Sequence, residues 1–141
     1  MEDRIITQLS IFVNNVPGSL AAISKTLKDC GVNMKACNLA ESNEFGILRA
    51  IVDDPDESAE KLAKKGVIVR KTTLVGVKIN NVPGSLYKPA KALGDAGINV
   101  EYGYAFTGKN MEGLFMRVDD PERAVDVLTD AGLELIRGSE I

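Results

Sequence analysis

The chain has 141 residues, of which 45% are hydrophobic and 26% charged, with a formal net charge of −3. That length suits one ordinary domain or two very small ones, and so weak a negative charge gives no field to draw in nucleic acid or an anionic membrane. Histidine and tryptophan are both absent and aromatics are only 5%. Without histidine there is no His-based acid–base catalysis, no Ser–His–Asp or Cys–His nucleophile and almost no zinc chemistry; sparse aromatics leave no stacking platform for single strands. No catalytic residue, metal ligand or cofactor is therefore expected. Cys30 and Cys37 lie seven apart, which matches no zinc or redox motif and forms no secreted-type disulfide framework. The charged start Met1-Glu2-Asp3-Arg4 does not read as a signal peptide, and no apolar run is long enough to span a membrane. A cytoplasmic setting is the expectation.

In chain order, Leu9, Ile11 and Val13 alternate with Gln8, Ser10 and Phe12, the period of a strand with one wetter face. Pro17-Gly18 opens a helix with Leu20, Ile23 and Leu27 on one side, and Gly31 stands where a left-handed C-terminal glycine belongs. Residues 32–42 and 45–52 read as a hairpin around Ser42-Asn43-Glu44. Asp54 then caps a second helix with Pro55 at its first position. Gly66 closes that helix, and Val67 to Val69 begin the last strand.

The same plan then runs again. Asn14-Asn15-Val16-Pro17-Gly18-Ser19-Leu20 recurs letter for letter as Asn80-Asn81-Val82-Pro83-Gly84-Ser85-Leu86, an offset of 66. Without a gap, that offset also carries Gly31 to Gly97, Asn33 to Asn99, Val52-Asp53-Asp54-Pro55 to Val118-Asp119-Asp120-Pro121, and Gly66 to Gly132. Two units of 66 cover 132 of the 141 residues, and no Pro/Gly/Ser linker marks the join near Lys71-Thr72-Thr73. The expectation is two modules, 1–70 and 71–141. Each is a βαββαβ ferredoxin-like α+β unit, an antiparallel sheet with both helices on one face. One departure is Pro89, six residues beyond Pro83, which should kink or shorten the first helix of the second unit.

The repeated loop invites a functional reading. The second helix of each unit starts Asp-Asp-Pro, whereas the first starts Asn-Asn-Val-Pro-Gly, with an uncapping valine before proline. Its first-turn amides are left for a carboxylate or other small anion, and the glycine lets that ligand approach the backbone. Asn15 and Asn81 add an amide that donates and accepts, as a zwitterion requires. The same asparagines equally suit a plain turn or an N-cap. On the second strands, one unit carries Cys37 and Asn38 where the other has Gly103 and Tyr104, beside Tyr102. Tyr102 and Tyr104 either pack in the core or border a pocket. Cys30 and Cys37, replacing Ala96 and Gly103, read as small hydrophobes. The Asp53-Asp54 and Asp119-Asp120 pairs read as helix caps rather than metal ligands. Arg49 and Arg117 read as solvated-face residues.

The ordered set Asn-x-Pro-Gly-x-Leu followed by Gly-x-Asn thirteen residues after the glycine, duplicated across nearly the whole chain, resembles the ACT domain. So does Cys37-Asn38-Leu39-Ala40-Glu41-Ser42 followed by Phe45-Gly46-Ile47-Leu48-Arg49, which is similar to free-standing tandem-ACT proteins of prokaryotes. The resemblance implies two modules side by side in one eight-stranded sheet, binding a free amino acid and passing the signal to a partner. It implies contacts from Asn15, Val16, Pro17 and Gly18 and from Asn81, Val82, Pro83 and Gly84. Asn33 and Asn99 would complete these sites from the opposite module, Asn99 with Asn15 and Asn33 with Asn81, with Cys37 and Tyr102 at their edges. Serine sensors of the family carry a histidine two positions before the first asparagine; here Val13 and Ile79 stand there, so serine itself is not carried over. The implied assembly is a homodimer with a metabolic enzyme as possible partner, and no nucleic acid or membrane. A second reading is the obligate regulatory subunit of an amino-acid biosynthetic enzyme, of the acetolactate synthase small-subunit type. An acylphosphatase-like hydrolase would need an arginine in the loop, which is missing.

Overall fold

The computed structural model describes residues 2–42, 45–107 and 111–141. The hairpin residues Asn43 and Glu44 lie outside the described residues. The elements run β1 (Ile6–Asn14), α1 (Ser19–Asp29), β2 (Met34–Ser42), β3 (Phe45–Val52), α2 (Pro55–Lys64), β4 (Val69–Lys78), α3 (Tyr87–Asp95), β5 (Val100–Thr107), β6 (Glu112–Val118) and α4 (Pro121–Asp130). Short 3-10 turns stand at Glu2–Arg4 and Gly138–Glu140. The chain is α+β, as its periodicities predict.

It divides into two compact units: Thr7–Thr72, and Met1–Ile6 together with Thr73–Ile141. In the first, β3 lies antiparallel between β1 and β2, with Ile11 opposite Leu48 and Cys37 opposite Ala50. The Phe12 amide donates to the Ile68 carbonyl on the far side of β1. Leu9, Ile11, Leu48, Ala50 and Val52 meet Ile23 and Leu27 of α1 and Leu62 of α2 in one core. Fully burying each Leu, Ile or Val among them contributes about 1.5–3 kcal/mol. Cys30 packs against that core as a small hydrophobe. In the second unit, β6 lies antiparallel between β4 and β5. Val75, Val77, Leu114, Met116 and Val118 pack on Leu93 of α3 and Ala124, Val125 and Leu128 of α4.

Among the described residues there are six strands, where the duplicated plan led to eight. One cause is that the last strand of the first repeat and the first of the second are continuous in β4, since no turn former separates them. The other is that the final stretch makes only a single bridge, Val77 to Leu135, supported by bonds from Lys78 N–H to the Glu134 carbonyl and from Ile136 N–H to the Gly76 carbonyl.

The helix signals behave as their chemistry demands. The Asp54 carboxylate accepts from Glu57 N–H at 3.1 Å, and that of Asp120 from Arg123 N–H at 3.2 Å. Gly31, Gly66, Gly97 and Gly132 follow the four helices, all at positive φ. Pro89 shortens its helix rather than kinking it. Helix α1 begins at Ser19, but α3 begins two residues later than the repeat requires, at Tyr87. That shift puts Pro89 in the first turn, where its missing N–H breaks no helical bond.

Candidate functional site

In both units the repeated loop leads from a core strand into a helix that no side chain caps. Gly18 precedes α1 at φ 87°, and no side-chain hydrogen bond reaches the helix end. The same holds for α3, and Gly84, the counterpart of Gly18, has φ 91°. A side chain is strained at these angles, so glycine is the residue the turn calls for. Within each loop the Ser19 amide donates to the Val16 carbonyl at 3.2 Å, and the Ser85 amide to the Val82 carbonyl at 3.3 Å. The turn is thus closed by backbone alone, which leaves the asparagine side chains free of that task.

A cavity opens beside each loop. In the unit Thr7–Thr72 it measures about 270 Å³, with Asn14, Asn15 and Glu41 as its polar side chains among Val13, Val16, Leu20 and Leu39. In the other unit it measures about 380 Å³, and Asn80, Val82, Pro83, Gly84 and Ser85 share it with Lys78, Lys88 and Glu134. Asn80, rather than Asn81, lines this second cavity. The loops are identical but the walls are not. At the repeat offset, Lys78, Lys88 and Glu134 replace Phe12, Ala22 and Ile68. Lys88 stands in the first turn of α3, where the helix dipole disfavours a cation unless an anion accompanies it. That misplaced lysine is the sequence signal that would have pointed to this wall. Lys78 reaches Glu134 at 3.0 Å and Glu140 at 2.7 Å. Glu140 and then Glu134 hold its ammonium above the ordinary lysine value, while Lys78 together with the Arg137 amide keeps the Glu140 carboxyl below 4.5.

The remaining candidates lie elsewhere. The Gly-x-Asn turns stand at the far ends of α1 and α3, and a helix of the 11 residues of α1 is about 16 Å long. A loop and the Gly-x-Asn turn of its own unit are therefore not brought together. Each turn is instead held by the first aspartate of the Asp-Asp-Pro sequence. The Asn33 amide donates to the Asp53 carboxylate at 3.3 Å, and Lys35 pairs with Asp53 at 3.2 Å. Asn99 and Asp119 bond reciprocally through backbone N–H groups, each at 3.2 Å. Each aspartate pair thus divides its work: the second caps a helix and the first ties down a turn.

Cys37 is exposed on β2 and lines neither loop cavity. Tyr102 is half-buried beside Arg117 in the register of β5 and β6, and Tyr104 stacks at a tilt on the buried Phe115 with ring centroids 5.9 Å apart. Neither tyrosine lines the loop cavity of its unit. Arg117 donates to the Thr73 carbonyl at 2.9 Å, and Arg49 to the Asn38 side chain at 3.4 Å. Both arginines bond within their sheets while staying partly exposed. Among the described residues no cluster of His, Cys, Asp and Glu suits a metal ion, and no helix is long and apolar enough to cross a membrane.

A strand–loop–helix module, folded twice with the same uncapped loop over a cavity, defines a duplicated ferredoxin-like protein. The family model for the ACT domain pair matches residues 4–141, and the chain belongs to that family. Among solved structures it is similar to protein BT0572 from Bacteroides thetaiotaomicron, at 34% identity over 96% of this chain and 94% of that one, with a TM-score of 0.88. The fold is also shared with the regulatory subunit of aspartate kinase from Thermus thermophilus, at 19% identity, TM-score 0.57, over 89% of this chain and 91% of that one. A further structural neighbour is the aspartate kinase from Synechocystis, at 15% identity and TM-score 0.57, where 92% of this chain covers 25% of the longer one. No curated protein sequence matches the chain.

Proposed function

We propose that the chain is an amino-acid-binding regulatory protein that carries out no chemistry itself. The observation that carries this reading is the repeated loop: twice, identical residues leave an uncapped helix N-terminus beside a cavity. Amides at that end suit the ligand's α-carboxylate, while asparagine and glutamate oxygens (Asn15 and Glu41, Asn80 and Glu134) suit its ammonium. Membership of the ACT domain pair family and the fold shared with aspartate kinase regulatory subunits support the same role. The proposed contact set is Asn15, Val16, Pro17 and Gly18 with Asn81, Val82, Pro83 and Gly84, extended by Asn80, Lys88 and Glu134. Asn33, Asn99, Cys37 and Tyr102 remain candidates at its margins. The ligand acts by favouring one packing arrangement, and coupling of this kind is typically worth about 1–3 kcal/mol.

Apolar side chains around the helix starts favour a companion reading in which the signal passes through protein contact. Val82, Leu86 and Tyr87 are 57%, 60% and 67% exposed, and Val16 and Leu20 are 60% and 46% exposed. Such a surface suits a homodimer or the regulatory subunit of a biosynthetic enzyme.

A thermal-shift screen of the twenty amino acids at millimolar concentration tests the ligand reading. One or a few should raise Tm, following RT ln(1 + [L]/Kd); a flat response across all twenty removes it. Asn15→Ala and Asn80→Ala should each weaken binding by roughly two- to tenfold, the worth of a net hydrogen bond, with a smaller loss of stability in the free protein. Equal losses in both would return these residues to the role of turn formers.

A further inference from the structure

We propose that the loop cavity of the unit containing Thr73–Ile141 passes its occupancy to the paired turns Glu2–Arg4 and Gly138–Glu140, with Lys78 as the joint between them. The proposal rests on the amino-acid reading of that cavity and adds the route by which binding there is felt elsewhere in the unit. One wall of the cavity is Gly132, Leu133 and Glu134, the start of a segment that runs on to Ile141. That segment has few backbone ties to the sheet. Leu135 bridges Val77, the Lys78 amide donates to the Glu134 carbonyl, and the Ile136 amide donates to the Gly76 carbonyl, both bonds at 2.8 Å. Ile136, fully buried over Gly76 and Gly113, gives the segment one defined seat. A stretch held by so few bonds opens locally before the core does. Seated and lifted are then the two states that a ligand can bias.

One lysine ties both ends of the segment by charge. Lys78 Nζ donates to Glu134 Oε1 at 3.0 Å and to Glu140 Oε2 at 2.7 Å. Glu140 Oε1 accepts from the Arg137 amide at 2.9 Å, and Asp3 accepts from the amide and the hydroxyl of Ser139 at 3.2 and 3.1 Å. The Lys78 side chain is 25% exposed and that of Glu134 74%, so the glutamate is the member still to be fixed. A carboxylate has a second oxygen to offer, and an α-ammonium in the cavity would take it. The row then reads ammonium, Glu134, Lys78, Glu140, with alternating signs, and Glu134 between the two cations offsets their repulsion. The ligand meets Glu134 in this way only while the segment is seated. Binding therefore favours the seated state and holds the two turns together, and by linkage the paired turns keep the cavity wall in place. The unit Thr7–Thr72 lacks the joint: at the repeat offset, Phe12, Ile68 and Leu74 stand for Lys78, Glu134 and Glu140.

The test follows backbone amide shifts and amide hydrogen exchange of the full chain by NMR, with each of the twenty amino acids added at millimolar concentration. An amino acid that shifts Gly84 to Tyr87 should also slow exchange at Ile136, Arg137 and Ser139, by roughly tenfold at ten times its Kd. Glu140→Gln keeps an acceptor for the Arg137 amide but not the charge that draws Lys78. In that variant the shifts at Gly84 to Tyr87 should persist, while the slowing at Arg137 and Ser139 should shrink by about threefold or more, the upper range for an exposed ion pair. Shifts at Gly84 to Tyr87 without slowing at Ile136, Arg137 and Ser139, or slowing undiminished in Glu140→Gln, would overturn the proposal and leave the amino-acid reading standing. No shift at Gly84 to Tyr87 with any of the twenty removes the proposal together with the amino-acid reading of that cavity.

Discussion

At Gly113 on β6, a Cβ would run into the Cδ1 of Ile136, and Ile136 itself is fully buried. Gly113→Ala should therefore lower unfolding stability by about 1–3 kcal/mol, the usual cost of overpacking a filled core, measured by urea denaturation. An unchanged midpoint would mean that Ile136 has somewhere else to go. Lys78 pairs with Glu140 at 2.7 Å. Its contact with Glu140 depresses the Glu140 carboxyl in the folded chain below 4.5. The ionised form is then the favoured one in the fold. The stabilisation is present above the unfolded value and is lost as pH falls through the folded value. Glu140→Gln should accordingly flatten the acid limb of the stability profile below about pH 4.5 while leaving the neutral range less stable. An acid limb identical to wild type would show that the pair contributes nothing, as many exposed ion pairs do.

Helices α2 and α4 each start at an aspartate cap. Replacing Asp54 or Asp120 with alanine removes the acceptor for the Glu57 or Arg123 amide and should cost about 1 kcal/mol each. The two losses should add, since the caps belong to different units. Chemical denaturation of both single variants and the double variant checks this. Helix ends were the most legible elements because capping is local: aspartate before proline and a glycine at the close need no tertiary information. The loop before α1 was equally legible, since its lack of a capping atom shows in the residues themselves. Strands were less so. Residues 133–137 share the apolar character of a strand, yet only Leu135 forms a bridge. Whether a short apolar run completes a ladder depends on the partner's register, which no local pattern encodes. The second roles of Asp53 and Asp119 stayed hidden for a related reason. Their partners, Asn33 and Asn99, lie 20 residues away in sequence. The meaning of Lys88 depends on a helix start that Pro89 displaces, which the repeat offset does not encode.

Across the whole chain, duplication preserves the loop while letting the walls diverge. Asn-Asn-Val-Pro-Gly-Ser-Leu is unchanged over an offset of 66, yet Phe12, Ala22 and Ile68 become Lys78, Lys88 and Glu134. Such a pattern is expected if the loop holds the part common to all amino acids and the walls meet the side chain. The cavity with Lys88 should then prefer a ligand with an acidic or polar side chain, and the Val13–Leu39 cavity a more apolar one. Lys88→Ala should shift the preference of the former by roughly tenfold, as expected of one charge-assisted contact, a change that titration calorimetry with the responding amino acids would read. The most direct measurement is a residue-resolved map of binding: backbone amide NMR shifts of the full chain as each of the twenty amino acids is added. Binding at the repeated loops should move the amides of Gly18 to Ala21 or Gly84 to Tyr87 first and saturably. Shifts confined to other parts of the chain, or none with any of the twenty, would contradict it.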